Sequence, residues 1–412
     1  MRIAMFTDSF FPELGGIQDS ILASARELGR RGEQVLILAP QAAKGDFARA
    51  GVAVAEPDLG LNVTVRRLFA LPVPSSTRQS RLVLPTLVPA GGRWRALAAF
   101  RPEVVHTQTF LGAGLEAAAA ARRLEVPLVG SNHWAVSGFS LYAPVARAAA
   151  GRLAAGAVAA YYNRCAWTSA PSAAALAEMR AHGFTGAGAV LSNPIDTARF
   201  HPTPEAERRR LRAALGLSDA TIVHAGRLAR EKHVDVLIRA LPALAATVPD
   251  AMLALAGHGS ARPALEALAG ELGVAGRVRF LGTLDHAALA RLYQASAVVA
   301  IASTSESQGM ALLQAMASGL PAVGARHGPL VEYIPPECGL LAEPGEPAAF
   351  TAALARLLSD AVMRARMGEQ AARWAARFAI PAVTDMWQDV YARAASGALG
   401  TADAAGWRPS CA

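Results

Sequence analysis

Residues 305–321 read Ser305-Glu306-Ser307-Gln308-Gly309-Met310-Ala311-Leu312-Leu313-Gln314-Ala315-Met316-Ala317-Ser318-Gly319-Leu320-Pro321 and carry more chemistry than any other stretch. An apolar run over Ala297 to Ala302 predicts a short strand, and polar Ser303 to Ser307 predict a turn. The small and apolar residues that follow predict a helix stopped by Gly319 and Pro321. The first amides of a helix lack partners within it, and the helix dipole adds positive character there. Gly309 lets backbone approach a ligand closely, so this helix start can seat a diphosphate. Glu306 and Gln314 are expected on the same helix, about two turns apart and near one face. Such a site could hold phosphates and grip hydroxyls on either side. Read singly, each residue fits helix capping or a solvated turn; the whole string points to a ligand.

Three other constellations have chemical potential. In Gly226-Arg227-Leu228-Ala229-Arg230-Glu231-Lys232, cations follow a strand predicted over Thr221 to Ala225, beyond the edge where open parallel sheets bind ligands. Arg227 offers a planar fork for phosphate oxygens and Lys232 a point charge on a flexible stem, while Arg230 is expected at the surface. Phe11-Pro12-Glu13-Leu14-Gly15-Gly16-Ile17-Gln18 joins the first strand to its helix, and its two glycines let amides approach a phosphate or sugar. Val129-Gly130-Ser131-Asn132-His133-Trp134 is a strand ending in a histidine. Solvated cations, a plain turn and a structural histidine are the bland readings of the three.

The string Ser-Glu-x-x-Gly-x-x-x-x-(Glu)-Ala-Met-Ala-x-Gly-x-Pro resembles the donor-site signature of retaining glycosyltransferase family 4, the glycosyl transferases group 1. That family has the α/β GT-B fold, two Rossmann-like domains facing across a cleft. Gln314 stands where the family has a second glutamate. The resemblance implies that Glu306 and Gln308 contact the donor sugar and that Gly309 and Met310 hold the diphosphate. Gln314 would meet the ribose, accepting one hydrogen bond and donating another without charge. The family's Gly-Arg-x-x-x-x-Lys motif matches at Arg227 and Lys232, which implies diphosphate binding. Gly15 and Gly16 match its glycine-rich loop, which implies that they face the same diphosphate. His133 resembles a histidine near the reacting centre, so the expected catalytic set is His133, Glu306, Arg227 and Lys232.

Weaker matches complete the resemblance. His106-Thr107-Gln108 is similar to a His-x-His pair of some members, with Gln108 in place of the second histidine. Arg277 to Gly282 resembles the segment that reads the nucleotide base, which implies Phe280 and Leu281 there. Gly257 and Gly259 are similar to a Gly-x-Gly turn. Asn193-Pro194-Ile195-Asp196 resembles an Asn-Gly-Ile-Asp turn in which Pro194 now fixes φ, and reads as an interdomain link.

When a nucleoside diphosphate leaves an anomeric carbon, negative charge grows on the phosphates, and fixed donors aimed there speed the step. Arg227, Lys232 and the amides near Gly309 supply such donors. No Asp-x-Asp sequence occurs, and no metal or other cofactor is expected. The donor is a UDP- or GDP-hexose, with neither base nor sugar fixed by these residues. The resemblance implies retention by same-face attack, the leaving phosphate helping to take the acceptor proton, so Glu306 is not assigned as a nucleophile.

Strands alternate with helical patterns along the chain, which predicts parallel sheets with helices on both faces. Strands are expected at Arg2 to Thr7, Glu33 to Ala39, Val63 to Leu68, Val104 to Thr107, Val126 to Ser131, Ala166 to Ser169 and Ala189 to Leu191, with a first helix over Ile17 to Arg31. A second series comprises Thr221 to Ala225, Met252 to Ala256, Val278 to Leu281, Ala297 to Ala302, Ala322 to Gly324 and Gly339 to Ala342. The expected division is an acceptor-binding domain at 1–198, a nucleotide-sugar-binding domain at 199–380, a helix at 381–396 crossing back to the first domain, and a flexible tail at 397–412. In that helix Val383, Met386, Trp387, Val390 and Tyr391 form an apolar packing stripe.

The chain of 412 residues, 53% hydrophobic, is long enough for two cores. Cys165, Cys338 and Cys411 are widely spaced and imply neither a disulfide framework nor a zinc site. No signal peptide or membrane span is expected; Arg147 and Arg152 interrupt the nearest apolar segment, Ala143 to Tyr162. The expected location is cytoplasmic, peripheral on the inner face of the cell membrane.

A net charge of +8 suggests an acidic partner. Leu61 to Phe100 holds Arg66, Arg67, Arg78, Arg81, Arg93 and Arg95, no acidic residue, and Phe69, Leu71, Leu82, Leu84, Leu87 and Trp94. Val126 to Ala177 is also acid-free and holds Trp134, Phe139 and Tyr142. Basic residues among apolar ones suit an anionic bilayer. Leu71-Pro72-Val73-Pro74 and Arg81-Leu82-Val83-Leu84-Pro85 resemble the acceptor segment of glycolipid-forming members, which implies a lipid or lipid-linked acceptor; a solvated basic face and a soluble or oligosaccharide acceptor are the alternatives. No familiar nucleic-acid module is present. Sugar-nucleotide 2-epimerases share the GT-B architecture, but the Glu306 motif and the Arg227/Lys232 pair resemble the transferase version, and Gln314 permits a degenerate nucleotide-sugar-binding subunit. Oligomeric state is not legible.

Overall fold

Most strands of the two main sheets are apolar runs buried on both faces, as a parallel sheet between helices requires. The computed structural model describes residues 1–13, 15–72, 81–84, 92–133 and 147–399. Leu14, Val73, Pro74, Arg78, Pro85, Leu87, Trp134, Phe139, Tyr142, the side chain of Arg93 and the tail from residue 400 lie outside the described residues. The chain divides into one unit of Met1–Pro194 with the segment from Ile380 onward, and a second of Ile195–Ala379. The division falls at 194/195, where the sequence pattern puts it at 198/199.

The first unit starts with β1 (Arg2–Phe6), α1 (Gly16–Arg30), β2 (Gln34–Pro40), α2 (Lys44–Ala50) and β3 (Val63–Leu68). Short β4 (Ala70–Pro72) and β5 (Arg81–Val83) follow, then α3 (Gly92–Phe100), β6 (Val104–Thr107) and α4 (Gly112–Leu124). It continues through β7 (Leu128–Ser131), α5 (Arg147–Tyr162), β8 (Trp167–Ala170), α6 (Ala173–Ala181) and β9 (Gly188–Val190). Seven strands form a parallel sheet in the order β3-β2-β1-β6-β7-β8-β9, and β4 pairs antiparallel with β5. The order reverses between β1 and β6, the switch point beyond which such sheets bind ligands. Alternation along β1 sends Ala4 and Phe6 into a core with Ala113 and Ala117 of α4, and Ile3 and Met5 into one with Ile21, Ala25 and Leu28 of α1.

The second unit starts with α7 (Glu205–Leu215), β10 (Thr221–Ala225), α8 (Val234–Thr247), β11 (Met252–Ala256) and α9 (Arg262–Glu271). β12 (Val278–Gly282), α10 (His286–Ala295), β13 (Val298–Ile301), α11 (Met310–Ala317) and β14 (Ala322–Ala325) come next. α12 (Leu330–Tyr333), β15 (Gly339–Ala342), α13 (Pro347–Ser359) and α14 (Ala361–Ala376) complete it. Its six strands are parallel in the order β12-β11-β10-β13-β14-β15, reversing between β10 and β13. The Ile195 amide donates to the Phe378 carbonyl at 2.7 Å, tying the unit's two ends together.

The last helix, α15 (Ile380–Ala395), belongs to the first unit. Val383, Trp387, Val390 and Tyr391 are buried in the core that contains α1, and Met386 is partly buried. The Trp387 and Tyr391 rings stack at 5.5 Å. The stripe is therefore a packing face.

Candidate functional site

Because β10 pairs with β13, the loops leaving their carboxyl ends lie side by side. Lys232, in a single 3-10 turn at Arg230–Lys232, donates from Nζ to the Ser305 carbonyl at 2.9 Å and to Glu306 Oε1 at 2.7 Å. The Lys232 and Glu306 side chains are only 14% and 17% exposed, so solvent screens this pair weakly. Arg227 Nη2 lies 3.0 Å from Glu231 Oε1, with the arginine side chain 42% exposed. Arg230 is exposed.

Two glycines hold the segment that carries Arg227. A Cβ on Gly257 would stand 1.9 Å from the Gly226 carbonyl oxygen, and one on Gly259 2.1 Å from that of Leu228. The turn after β11 thus packs backbone against backbone, and the Leu228 amide donates to the His258 carbonyl at 3.0 Å.

The expectation that Glu306 and Gln314 share a helix is wrong. Gly309 has φ 93°, a left-handed conformation that glycine accepts readily, and α11 begins only at Met310. Glu306 lies in the preceding loop, where Lys232 holds it and the Ser305 amide donates to Ser303 Oγ at 3.1 Å. No side chain caps α11 at Gly309. Gln308 is buried, as is Gln314 within α11, and Met310 is partly buried. Phe280 and Leu281 stand on β12, the edge strand, two strands from β10. Phe280 is half-buried with the Arg262 guanidinium 5.5 Å from its ring centroid, and Leu281 is exposed. Lys232 and Glu306 are therefore brought into direct contact, while the proposed base-binding pair sits apart on the sheet edge.

In the first unit Gly15 and Gly16 are exposed at the start of α1. Gly15 has φ 163°, extended backbone open to any residue, so its need for glycine is not conformational. The loop is braced by Gln18, whose Nε2 donates to Ser9 Oγ, and by Ser9 Oγ donating to Glu13 Oε2 at 2.9 Å. Asp8, beyond β1, is buried and accepts from the amides of Val83 (3.0 Å) and Ala113 (3.1 Å) and from Thr109 Oγ1 (3.1 Å). Burial nonetheless raises its pKa.

His133, beyond β7, has Nε2 2.7 Å from Gln108 Oε1. Burial draws its pKa down to about 4, against the opposing effect of Asn193. Asn193 is itself anchored by Ser20 Oγ at 3.0 Å. His106 lies deeper, with Nδ1 2.7 Å from Tyr391 Oη and Nε2 2.8 Å from Ser131 Oγ; burial, with the neighbouring His133, draws its pKa to about 3. Ser24, Gln108, His133, Ser169, Asn193 and Trp387 are among the residues lining a polar pocket here. Sequence reasoning missed Asp8 and gave Gln108 no role. The available signal was their position, immediately after the two strands that flank the switch point.

Family models match both parts of the chain. The model described as Glycosyl transferases group 1 matches residues 207–374, and that described as Glycosyltransferase Family 4 matches residues 14–199. The D-inositol 3-phosphate glycosyltransferase of Mycolicibacterium gilvum is 32% identical over 404 residues, covering 93% of this chain and 85% of that protein. Its namesake in Corynebacterium urealyticum is 38% identical over 200 residues, 46% of this chain and 47% of the relative. The chain spans about half the length of the Corynebacterium relatives it matches. The structure of Anabaena Alr3699/HepE in complex with UDP and glucose superposes with a TM-score of 0.72 at 21% identity, covering 95% of this chain and 99% of that one. Two Rossmann-like units with parallel sheets and these neighbours define the GT-B fold. The chain belongs to glycosyltransferase family 4.

Proposed function

We propose that this protein transfers a hexosyl group from UDP- or GDP-hexose to a hydroxyl of a lipid or lipid-linked acceptor, with retention, on the inner face of the cell membrane. The observation that carries the transferase reading is the Lys232–Glu306 contact at the β10/β13 switch point, flanked by Arg227 and by the uncapped start of α11. In this reading Arg227, Lys232, Gly309, Met310 and the Gly15-Gly16 turn bind the diphosphate. Glu306 and Gln308 bind the donor sugar, Gln314 the ribose, and Phe280 and Leu281 the base. The bond from the anomeric carbon to the diphosphate oxygen breaks, the acceptor oxygen bonds on the same face, and its proton passes to the leaving phosphate. His133 stands near the reacting centre. Because protein cations face the leaving group, EDTA is expected to leave turnover unchanged; a metal-restored loss in EDTA would contradict this.

For the acceptor, the supporting observation is the β4–β5 hairpin. Phe69, Leu71 and Leu84 are exposed there, with exposed Arg66 close by in sequence, a pairing that suits an anionic bilayer. Among the described residues no helix is long and apolar enough to cross a membrane. A soluble phosphorylated polyol is the second reading, favoured by the D-inositol 3-phosphate in the names of the relatives. The test supplies labelled donor with anionic vesicles carrying diacylglycerol or polyprenyl phosphate, or with inositol phosphate. Label extracted with lipid, as the α-anomer from an α-linked donor, supports the first reading; label only in the soluble acceptor supports the second, and an inverted product contradicts retention.

A further inference from the structure

Gln108 lies between two histidines, and its contacts with them differ in kind. Its Nε2 is 3.1 Å from Nδ1 and 3.2 Å from Nε2 of His106, and its Oε1 is 2.7 Å from Nε2 of His133. An in-plane atom that close to both His106 nitrogens would collide with the carbon between them, so the amide nitrogen sits over the ring face. Both His106 nitrogens are already engaged, by Tyr391 Oη and Ser131 Oγ, and Ser169 Oγ donates to that serine at 3.0 Å. The face of a neutral imidazole attracts an N–H and repels a carbonyl oxygen. The Gln108 amide therefore has one orientation, nitrogen to His106 and oxygen to His133. An oxygen that only accepts requires a proton on its partner.

We propose that Gln108 is a positioning residue that holds His133 in its Nε2-protonated tautomer, with the ring's lone pair on Nδ1. Gln108 is buried and its neighbour His106 is fixed from β6, β7 and α15, so the amide oxygen is held against His133 Nε2. Among the described residues the titratable groups facing the pair are His106 from β6 and Tyr391 from α15, both kept uncharged by burial. Only the consequence for turnover rests on the transferase reading.

The test is a long-range 15N–1H correlation of the imidazole rings, with His133 assigned by the loss of its signals in His133→Gln. The wild type is expected to show the Nε2–H pattern, and Gln108→Leu a mixture of tautomers. Gln108→Glu places a carboxylate against Nε2–H, so the tautomer is kept while the ring titrates higher by about a unit or more. In turnover, Gln108→Leu should lower kcat roughly tenfold or more with donor KM within about twofold, and Gln108→Glu should move the acid limb of kcat/KM upward. An Nδ1–H pattern in the wild type, or an unchanged pattern in folded Gln108→Leu, overturns the proposal. If Gln108→Leu fails to fold, the wild-type pattern and the Gln108→Glu titration decide. If the tautomer behaves as stated but no donor is consumed, the lock stands and the transferase reading falls.

Discussion

Lys232 already has an anion beside it before any donor arrives, because Glu306 accepts from its ammonium at 2.7 Å. A diphosphate must compete for that ammonium. Glu306→Gln removes the competing charge, so calorimetry should find nucleoside diphosphate bound several-fold more tightly while turnover falls roughly tenfold or more through the lost sugar contact. Unchanged affinity would mean that Lys232 does not reach the diphosphate. At Gln314, restoring a carboxylate offers a charged acceptor to ribose hydroxyls. Gln314→Glu should tighten nucleotide binding several-fold and leave turnover within about threefold; a gain of roughly a hundredfold would instead mark a degenerate binding subunit. The motif residues can be picked out in the sequence because each is specified by near neighbours in sequence. Glu231 beside Arg227 was present in the same string but unread. Position alone singles out Asp8 and Gln108; what they hold is not legible, since their partners stand far along the chain: Val83 and Ala113 for one, His133 for the other. Glu306 was placed on the helix because a period of 3.6 takes no notice of a single left-handed glycine.

Helices and strands differ in how openly they announce themselves. The strands β6, β10 and β11 stand where their apolar runs predict, because a strand covered on both faces leaves an unbroken signal, and the edge strands β3 and β15 also stand where expected. The β4–β5 hairpin went unread: two three-residue strands are too short for any alternation to register, and the first ends in Pro72. The turns around Arg227 depend on glycines whose requirement is spatial and, at Gly226 and Gly257, also conformational. Gly257→Ala puts a methyl group 1.9 Å from the Gly226 carbonyl at a φ of 142°, and something must move. Nucleotide affinity should fall together with stability, the latter by about 1–3 kcal/mol in denaturant unfolding. A stable variant with unchanged nucleotide affinity would show that this turn does not shape the phosphate loop.

Across the molecule, buried neutral histidines contribute to the response to acid. His106 and His133 are drawn from the usual 6.5 down to about 3 and about 4 in the folded state. Between pH 6.5 and about 4 the unfolded chain therefore binds protons that the folded chain refuses, so their contribution is intact above 6.5 and lost as pH falls through that window. Asp8, whose pKa burial raises, works in the opposite sense. Denaturant unfolding should show stability dropping by a few kcal/mol between about pH 7 and pH 4.5, and His106→Asn should flatten the slope; an equal slope would remove His106 from the account.

The central claim is that the switch point of the second unit binds and activates a nucleotide sugar. Its most direct test is nucleotide release from UDP- and GDP-hexoses by the wild type and by Lys232→Ala, each with lipid-bearing vesicles and with soluble acceptors. Release from one donor, dependent on an acceptor and reduced roughly a hundredfold or more in the variant, is the predicted result. Full turnover by Lys232→Ala, or no release from any donor by a wild type that binds nucleotide, would contradict it.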